Sequence, residues 1–137
     1  MFCGRKVRRN LLNQVCFFAV FRPMNDSPVI VQHTYDLLLY LVPQLARFPR
    51  SQKFALADRI QNTLTEVLEA LIRAYYLPRG EPKRSALQQV NLDLEVLRYL
   101  IRLAKDLRCL DLRRYELIQK HIHEIGVQNG AWLKSLA

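Results

Sequence analysis

Residues that break or crosslink a polypeptide are scarce in this chain. Its 137 residues include 4 Gly and 6 Pro, which leaves little material for turns or disordered linkers. Cys3, Cys16 and Cys109 are odd in number and lack C-x-x-C spacing, so neither a disulfide framework nor a zinc site is indicated. We therefore expect one ordered domain in a reducing compartment, with a cytoplasmic location.

The sequence also lacks the motifs of common active sites. It has no glycine-rich phosphate loop, no nucleophile elbow and no H-E-x-x-H. His121 and His123 are two residues apart, which on a helix places them about 200° apart around the axis, so they cannot share a metal ion. Glu66 and Glu69 lie on one helical face, where ion pairing with neighbouring arginines accounts for them. We predict no catalytic residue, no metal site and no cofactor.

The N-terminal segment, residues 1–28, differs from the rest. A basic start and an apolar run resemble a signal peptide, but Asn13 and Gln14 interrupt the run and no small-x-small cleavage site follows. The run is shorter than the roughly 20 apolar residues of a membrane span. We expect a poorly ordered or non-native extension, with Met24 as an alternative start and no membrane association.

The chain from residue 29 to 137 has the apolar spacing of helices. The apolar positions of four successive patterns are Tyr35, Leu38, Val42 and Leu45; Phe54, Ala57, Ile60, Leu64, Val67, Leu71 and Tyr75; Leu87, Val90, Leu94, Leu97, Ile101 and Ala104; and Tyr115, Ile118, Ile122, Ile125, Asn129, Trp132 and Leu136.

The breaks between the patterns are short. Phe48-Pro49 should end the first helix, and Ser51 is a plausible N-cap of the second. LPRGEP at 77–82 separates the second helix from a third over about 83–110, and Asp111 can cap the fourth. Short connections favour neighbouring antiparallel helices, so residues 29–137 should form an all-α, up-down-up-down antiparallel four-helix bundle.

A second apolar row accompanies the core positions of the third helix. It consists of Val96, Leu100, Leu103 and Leu107. One bundle core does not require this row, and an exposed apolar stripe usually marks association. The row therefore predicts self-assembly, without indicating the number of subunits.

The charge of the chain is strongly basic, with 21 Lys+Arg against 12 Asp+Glu and a net charge of +9. In an up-down bundle the first and third connections share one end. That end gathers nine basic residues: Arg47, Arg50, Lys53, Arg59, Arg102, Lys105, Arg108, Arg113 and Arg114. Four acids oppose them, Asp58, Asp106, Asp111 and Glu116, which leaves +5. Either this end is a solvated, partly ion-paired surface, or it contacts nucleic acid or a protein partner.

Four segments of the domain resemble one protein family. They are YDLLLYLVPQLARFPRSQKFALADRIQNTLTEVLEALIRAYY, NLDLEVLRYLIRLAKDL, and RRYELIQKHIHEIG with GAWLKS. Over about residues 29–136 the chain is similar to the Avd family, the accessory variability determinants of diversity-generating retroelements. The resemblance implies a homopentameric barrel of four-helix bundles with a basic surface. It also implies a non-catalytic protein that binds the retroelement's reverse transcriptase and RNA or DNA, and so supports mutagenic retrohoming.

A second hypothesis comes from close kin of that family. Four-helix-bundle proteins are encoded in intervening sequences of bacterial large-subunit rRNA genes, and a self-assembling structural bundle of this kind would have no reverse-transcriptase partner. A neighbouring reverse transcriptase gene with a near-repeat pair differing at adenines would favour the retroelement hypothesis. An insertion in an rRNA gene would favour the structural one.

The chain departs from the family pattern near its C-terminus. The family usually has EIGRMxGGW with an aliphatic residue at x, whereas this chain has EIGVQNGAW. Val127 thus replaces a basic residue, Gln128 a methionine and Asn129 an apolar core residue. A buried amide must find hydrogen bonds or destabilise the core, so the departure affects packing there and any contact that the replaced arginine would make with a partner.

Overall fold

The computed structural model describes residues 28–137, which form four helices and no strand. Helix α1 spans Val29–Leu45, and α3 and α4 span Glu81–Asp106 and Leu112–Ser135. Helix α2 is composite: a short α-helical turn, Arg50–Gln52, leads into a π-helical turn, Lys53–Ala57, and then into the α-helix Asp58–Tyr76. The predicted N-terminal extension lies outside the described residues apart from residue 28.

The four helices pack in a cycle. The main contacts join α1 with α2, α2 with α3, α3 with α4, and α4 with α1. Two hydrogen bonds show that α3 and α4 run antiparallel: Gln119 Nε2 donates to the Arg98 carbonyl at 3.0 Å, and Asn129 Nδ2 donates to the Leu87 carbonyl at 2.8 Å. The bonded residue that is farther along α4 pairs with the residue that is nearer the start of α3. The all-α four-helix bundle is the architecture predicted from the sequence.

Helices α3 and α4 bury the residues that their periodicity predicted. The six predicted core positions of α3 are all buried. On α4, Ile118, Ile122 and Ile125 are buried as well, because polar and charged residues fill most of the intervening positions and leave one apolar stripe. In the second row, Val96 and Leu103 of α3 and its C-cap residue Leu107 are exposed, whereas Leu100 is partly buried against the core.

Helix α1 is present where predicted, but its core side is only partly as predicted. Of the four predicted positions, Leu45 is buried and Leu38 packs partly buried against the core, whereas Tyr35 and Val42 are exposed. The other buried apolar residues of α1 are Ile30, Leu37 and Leu41. The segment is apolar around most of its circumference, so two interleaved stripes satisfy helical spacing and the pattern alone does not choose between them. Tertiary packing against α2 and α4 makes the choice.

The start of α2 also differs from the prediction. Pro49, not Ser51, occupies the N-cap position, and no side chain caps this end. The π-helical turn then inserts extra backbone, which rotates the following residues relative to a regular helix. Ala57 is buried as predicted, and Leu56 beside it is buried too. Phe54 is 74% exposed, so the prediction that Phe54 faces the core was wrong.

The buried amide at position 129 finds partners on α3. Asn129 is fully buried, and its Nδ2 donates to the Leu87 carbonyl at 2.8 Å and to Asn91 Oδ1 at 2.7 Å. Its Oδ1, like Gln128 Oε1, is buried and accepts no hydrogen bond within residues 28–137. Beside it, Gln128 Nε2 lies 2.7 Å from His33 Nδ1 on α1. Two of the residues that depart from the family pattern therefore tie α4 to both of its neighbours. Val127, the third, is exposed.

The register of α1 can be tested with two leucines two residues apart. Leu41 is fully buried and Leu39 is largely exposed. We expect Leu41→Ala to lower the free energy of unfolding by about 2–5 kcal/mol, because it forfeits transfer energy and leaves a residual cavity. Leu39→Ala should change it by less than about 0.5 kcal/mol. Urea denaturation at a fixed protein concentration measures both, and equal destabilisation would contradict the register.

Candidate nucleic-acid interface

The nine predicted basic residues lie around the connections α1–α2 and α3–α4, which share one end of the bundle; we call this end the basic end. Buried residues from both connections, Phe48 and Leu110, belong to the same core cluster. Arg59 lies farthest from the connections, about 13 Å along α2 from Arg50 at 1.5 Å per residue. The other eight sit in the connections or in the adjoining helix turns.

Ion pairing neutralises only part of this charge. Arg102 and Lys105 both face Asp106, at 3.9 Å and 3.4 Å. Arg114 lies 2.7 Å from Asp111. Six of the nine basic side chains form no ion pair within residues 28–137, and all six are exposed: Arg47, Arg50, Lys53, Arg59, Arg108 and Arg113. The end therefore presents a cationic surface whose charge nearby carboxylates do not cancel.

Arg114 has a structural task that the other basic residues lack. Asp111 is the N-cap of α4, as predicted, and its Oδ1 accepts a hydrogen bond from the Arg114 backbone N–H at 2.7 Å. Its Oδ2 accepts another from Arg114 Nη1, also at 2.7 Å. Because Arg114 is held by the cap, its replacement would disturb the start of α4 as well as the surface charge.

The connection between α3 and α4 is a tight helix-ending turn. The N–H of Cys109 donates to the Ala104 carbonyl at 2.8 Å, and the N–H of Arg108 donates to the Lys105 carbonyl at 2.9 Å. This pair of bonds is the Schellman motif, whose left-handed position is usually glycine. Here Arg108 occupies it with a φ of 62°. An exposed arginine therefore adopts the left-handed backbone conformation, which is less favourable by about 1 kcal/mol or more for a residue with a Cβ.

The π-helical turn brings an aromatic side chain to the same end. Phe54 follows Lys53 and is exposed, whereas Phe48 is buried in the core. Exposed aromatic rings beside cationic side chains are the elements on which unpaired bases stack. Regular helical periodicity did not predict the exposure of Phe54, because the extra backbone of the π-helical turn directs this side chain outward.

Two of the residues considered for catalysis face an ionisable neighbour on their own helix. Glu69 pairs with Arg73 at 3.4 Å, and His121 Nδ1 lies 3.7 Å from Glu124 Oε2. Burial raises the pKa of the Cys109 thiol, which disfavours the reactive thiolate. Within residues 28–137, no three His, Cys, Asp or Glu side chains form a group able to hold a metal ion. None of the four helices within residues 28–137 has a stretch that could span a lipid bilayer.

The fold and its surface define a class: an all-helical bundle with a basic end. Within that class, a model of the bAvd-like family matches residues 28–136. The chain belongs to this family, and the resemblance to Avd proteins that its motifs indicated is confirmed. No curated protein and no solved structure matches this chain.

The left-handed position of Arg108 generates a prediction. Arg108→Gly should raise the free energy of unfolding by about 0.5–1 kcal/mol, because glycine adopts a positive φ without the steric cost of a Cβ. Arg108→Ala should give no such gain, since alanine keeps the Cβ. The midpoint of urea denaturation distinguishes the two variants. A less stable Arg108→Gly protein would mean that the arginine side chain itself holds the connection.

Proposed function

We propose that this protein is a non-catalytic accessory subunit of a diversity-generating retroelement. It binds the reverse transcriptase of that element, and it binds nucleic acid through the basic end. Membership of the bAvd-like family supports the retroelement role. The single observation that supports the binding surface is the set of six exposed basic side chains without ion pairs, within residues 28–137, at one end of the bundle.

The proposed binding is directed at phosphates. Exposed arginines and lysines supply charge and hydrogen-bond donors to phosphate oxygens, and such contacts position a polynucleotide without reading its sequence. The chain would hold template RNA or its cDNA near the reverse transcriptase, which performs the chemistry. Specificity for the correct template then belongs to the transcriptase or to the complex as a whole.

Self-assembly is the second part of the proposal. The family resemblance implies a homopentamer, and the exposed row on α3 offers an apolar surface for subunit contact. A closed ring would carry one basic end per subunit, and linked weak contacts on a single polyanion raise the overall affinity. Ring formation thus explains how modest phosphate contacts hold a long nucleic acid.

The binding surface is tested with two lysines at opposite ends. Lys53 lies at the basic end and Lys134 in the last turn of α4, and both are exposed and free of ion pairs among residues 28–137. Lys53→Glu should weaken binding of duplex or single-stranded DNA several-fold. It should also reduce the slope of log K against log salt by about 0.9 on duplex or 0.7 on single strands for each phosphate that the variant no longer neutralises. Fluorescence anisotropy at several salt concentrations measures both effects.

Lys134→Glu is the matched control, because it makes the same charge change at the opposite end. It should leave the salt slope unchanged and the affinity nearly so. If both variants fold and assemble normally and their affinities fall equally, the basic end is not the contact surface. Arg79 and Arg84 are unsuitable controls, because their guanidinium groups donate to the carbonyls of Ser135 and Leu136 at the C-terminal end of α4.

Assembly is tested by the mass in solution. The purified chain should sediment as a closed oligomer, and Leu103→Glu should shift it toward monomer, because a charge on the exposed row opposes burial between subunits. Light scattering at micromolar concentration measures the mass, and circular dichroism checks that the variant remains helical. A monomeric wild-type protein would refute the proposed ring, and an unchanged mass for Leu103→Glu would refute the row as its contact.

A further inference from the structure

A groove between α3 and α4 adjoins the basic end and differs from it in chemistry. It encloses about 210 Å³. Its lining combines two tyrosines, two arginines, a glutamine and a glutamate: Glu95, Arg98, Tyr99, Arg102, Tyr115 and Gln119. Pockets that enclose whole small-molecule ligands usually span about 300–1,000 Å³, so this groove suits a single planar ring better than a complete ligand.

Tyr99 presents an open aromatic surface at the groove. Tyr99 is 68% exposed, and within residues 28–137 its side chain makes no hydrogen bond and no ring contact. The second ring of the groove is already engaged, since Lys105 Nζ lies 4.5 Å from the centroid of Tyr115. Tyr99 has no packing role inside the subunit, so a single subunit leaves its ring open to a ligand.

The floor of the groove is held by polar contacts. Arg98 Nη1 donates to Glu95 Oε1 at 2.5 Å, and Gln119 Nε2 donates to the Arg98 carbonyl at 3.0 Å. The Arg98–Glu95 pair is locally neutral, so Glu95 does not repel a phosphate that approaches the groove. The Gln119 hydrogen bond crosses from α4 to α3 and fixes the distance between the two walls.

Arg102 supplies a weakly paired cationic group beside Tyr99. Its side chain is 62% exposed, and its one carboxylate partner within residues 28–137, Asp106, lies at 3.9 Å, close to the limit of an ion pair. A weak exposed pair of this kind is worth little and yields readily to a phosphate. Tyr99 and Arg102 are three residues apart on α3, so they share one side of the helix.

We infer that this groove binds an unpaired base of a single-stranded polynucleotide. The base stacks on the Tyr99 ring, and Arg102 contacts the adjoining phosphate. A base inside a duplex cannot reach the ring without leaving its stack, so the groove favours single strands over duplex. The inference rests on the proposed function, since the basic end brings the strand to the groove, and it names single-stranded RNA or DNA as the preferred ligand.

The test compares three substitutions of Tyr99 on single-stranded and duplex oligonucleotides of equal length. Tyr99→Ala removes the ring on which one base stacks, so it should weaken single-strand binding on the order of 10-fold to 100-fold. Tyr99→Leu should be weakened as much, because leucine keeps the apolar bulk but has no ring, whereas Tyr99→Phe should bind like wild type. Duplex binding and the single-strand salt slope should not change, since the phosphates remain bound as before.

A direct readout of stacking completes the test. Wild-type protein should quench a 2-aminopurine placed in the single strand, and Tyr99→Leu should quench it less at saturating protein. Tyr35→Ala on α1 is the control, because Tyr35 is also exposed and lies toward the opposite end. It should leave quenching and affinity unchanged.

The outcomes separate this inference from the proposed function. If Tyr99→Ala and Tyr99→Leu bind single strands like wild type while Lys53→Glu still weakens binding, the groove site is refuted and the proposed function stands. If wild-type protein binds neither single strands nor duplex, both are refuted. If Tyr99→Ala changes the oligomeric mass and weakens single-strand and duplex binding equally, Tyr99 is an assembly contact and the groove site is refuted.

Discussion

Burial of the apolar face of α3 is the interaction on which the rest of this structure depends. α3 lies between α2 and α4 in the cycle of helices, and its six core residues belong to a single cluster shared by all four helices. Connections of a few residues oblige each successive helix to reverse direction. The α1–α2 and α3–α4 connections therefore meet at one end. The concentration of positive charge there depends on the packing of the core, because the basic residues come from both halves of the chain.

Three features of the molecule break local rules of protein structure. An arginine occupies a left-handed helix-ending position, a π-helical turn exposes a phenylalanine, and an asparagine is fully buried. Departures of this kind are expected at functional or structurally special sites and require compensation elsewhere. Arg108 and Phe54 lie at the basic end, where they add charge and an aromatic ring to the surface. Two hydrogen bonds to α3 satisfy the amino group of Asn129, while its Oδ1 has no partner within residues 28–137.

Family membership and residue roles rest on different grounds. The bAvd-like match spans the whole bundle and identifies the class, yet it assigns no role to an individual side chain. The geometry makes distinctions within the basic set that class membership does not. Arg114 belongs to the cap of α4, Arg102 and Lys105 share one acid, and Arg59 stands apart from the connections. Position 127, where the basic residue is replaced by valine, lies on the exposed side of α4. The replacement therefore alters the surface and leaves the core intact.

The sequence predicted the number of helices, the core positions of α3 and α4, the Asp111 cap and the family. These features were readable because strong amphipathic periodicity and local capping depend on residues close together in the chain. The core side of α1 was readable only in part, at Leu38 and Leu45, since a segment apolar on most sides leaves the choice to its neighbours. The outward turn of Phe54, which a π-helical turn produces, was not readable. The partners of Asn129, at Leu87 and Asn91, are 42 and 38 residues away. The groove that joins Tyr99 to Tyr115 likewise exists only where two antiparallel helices meet, because chain folding alone decides which side chains face each other across helices.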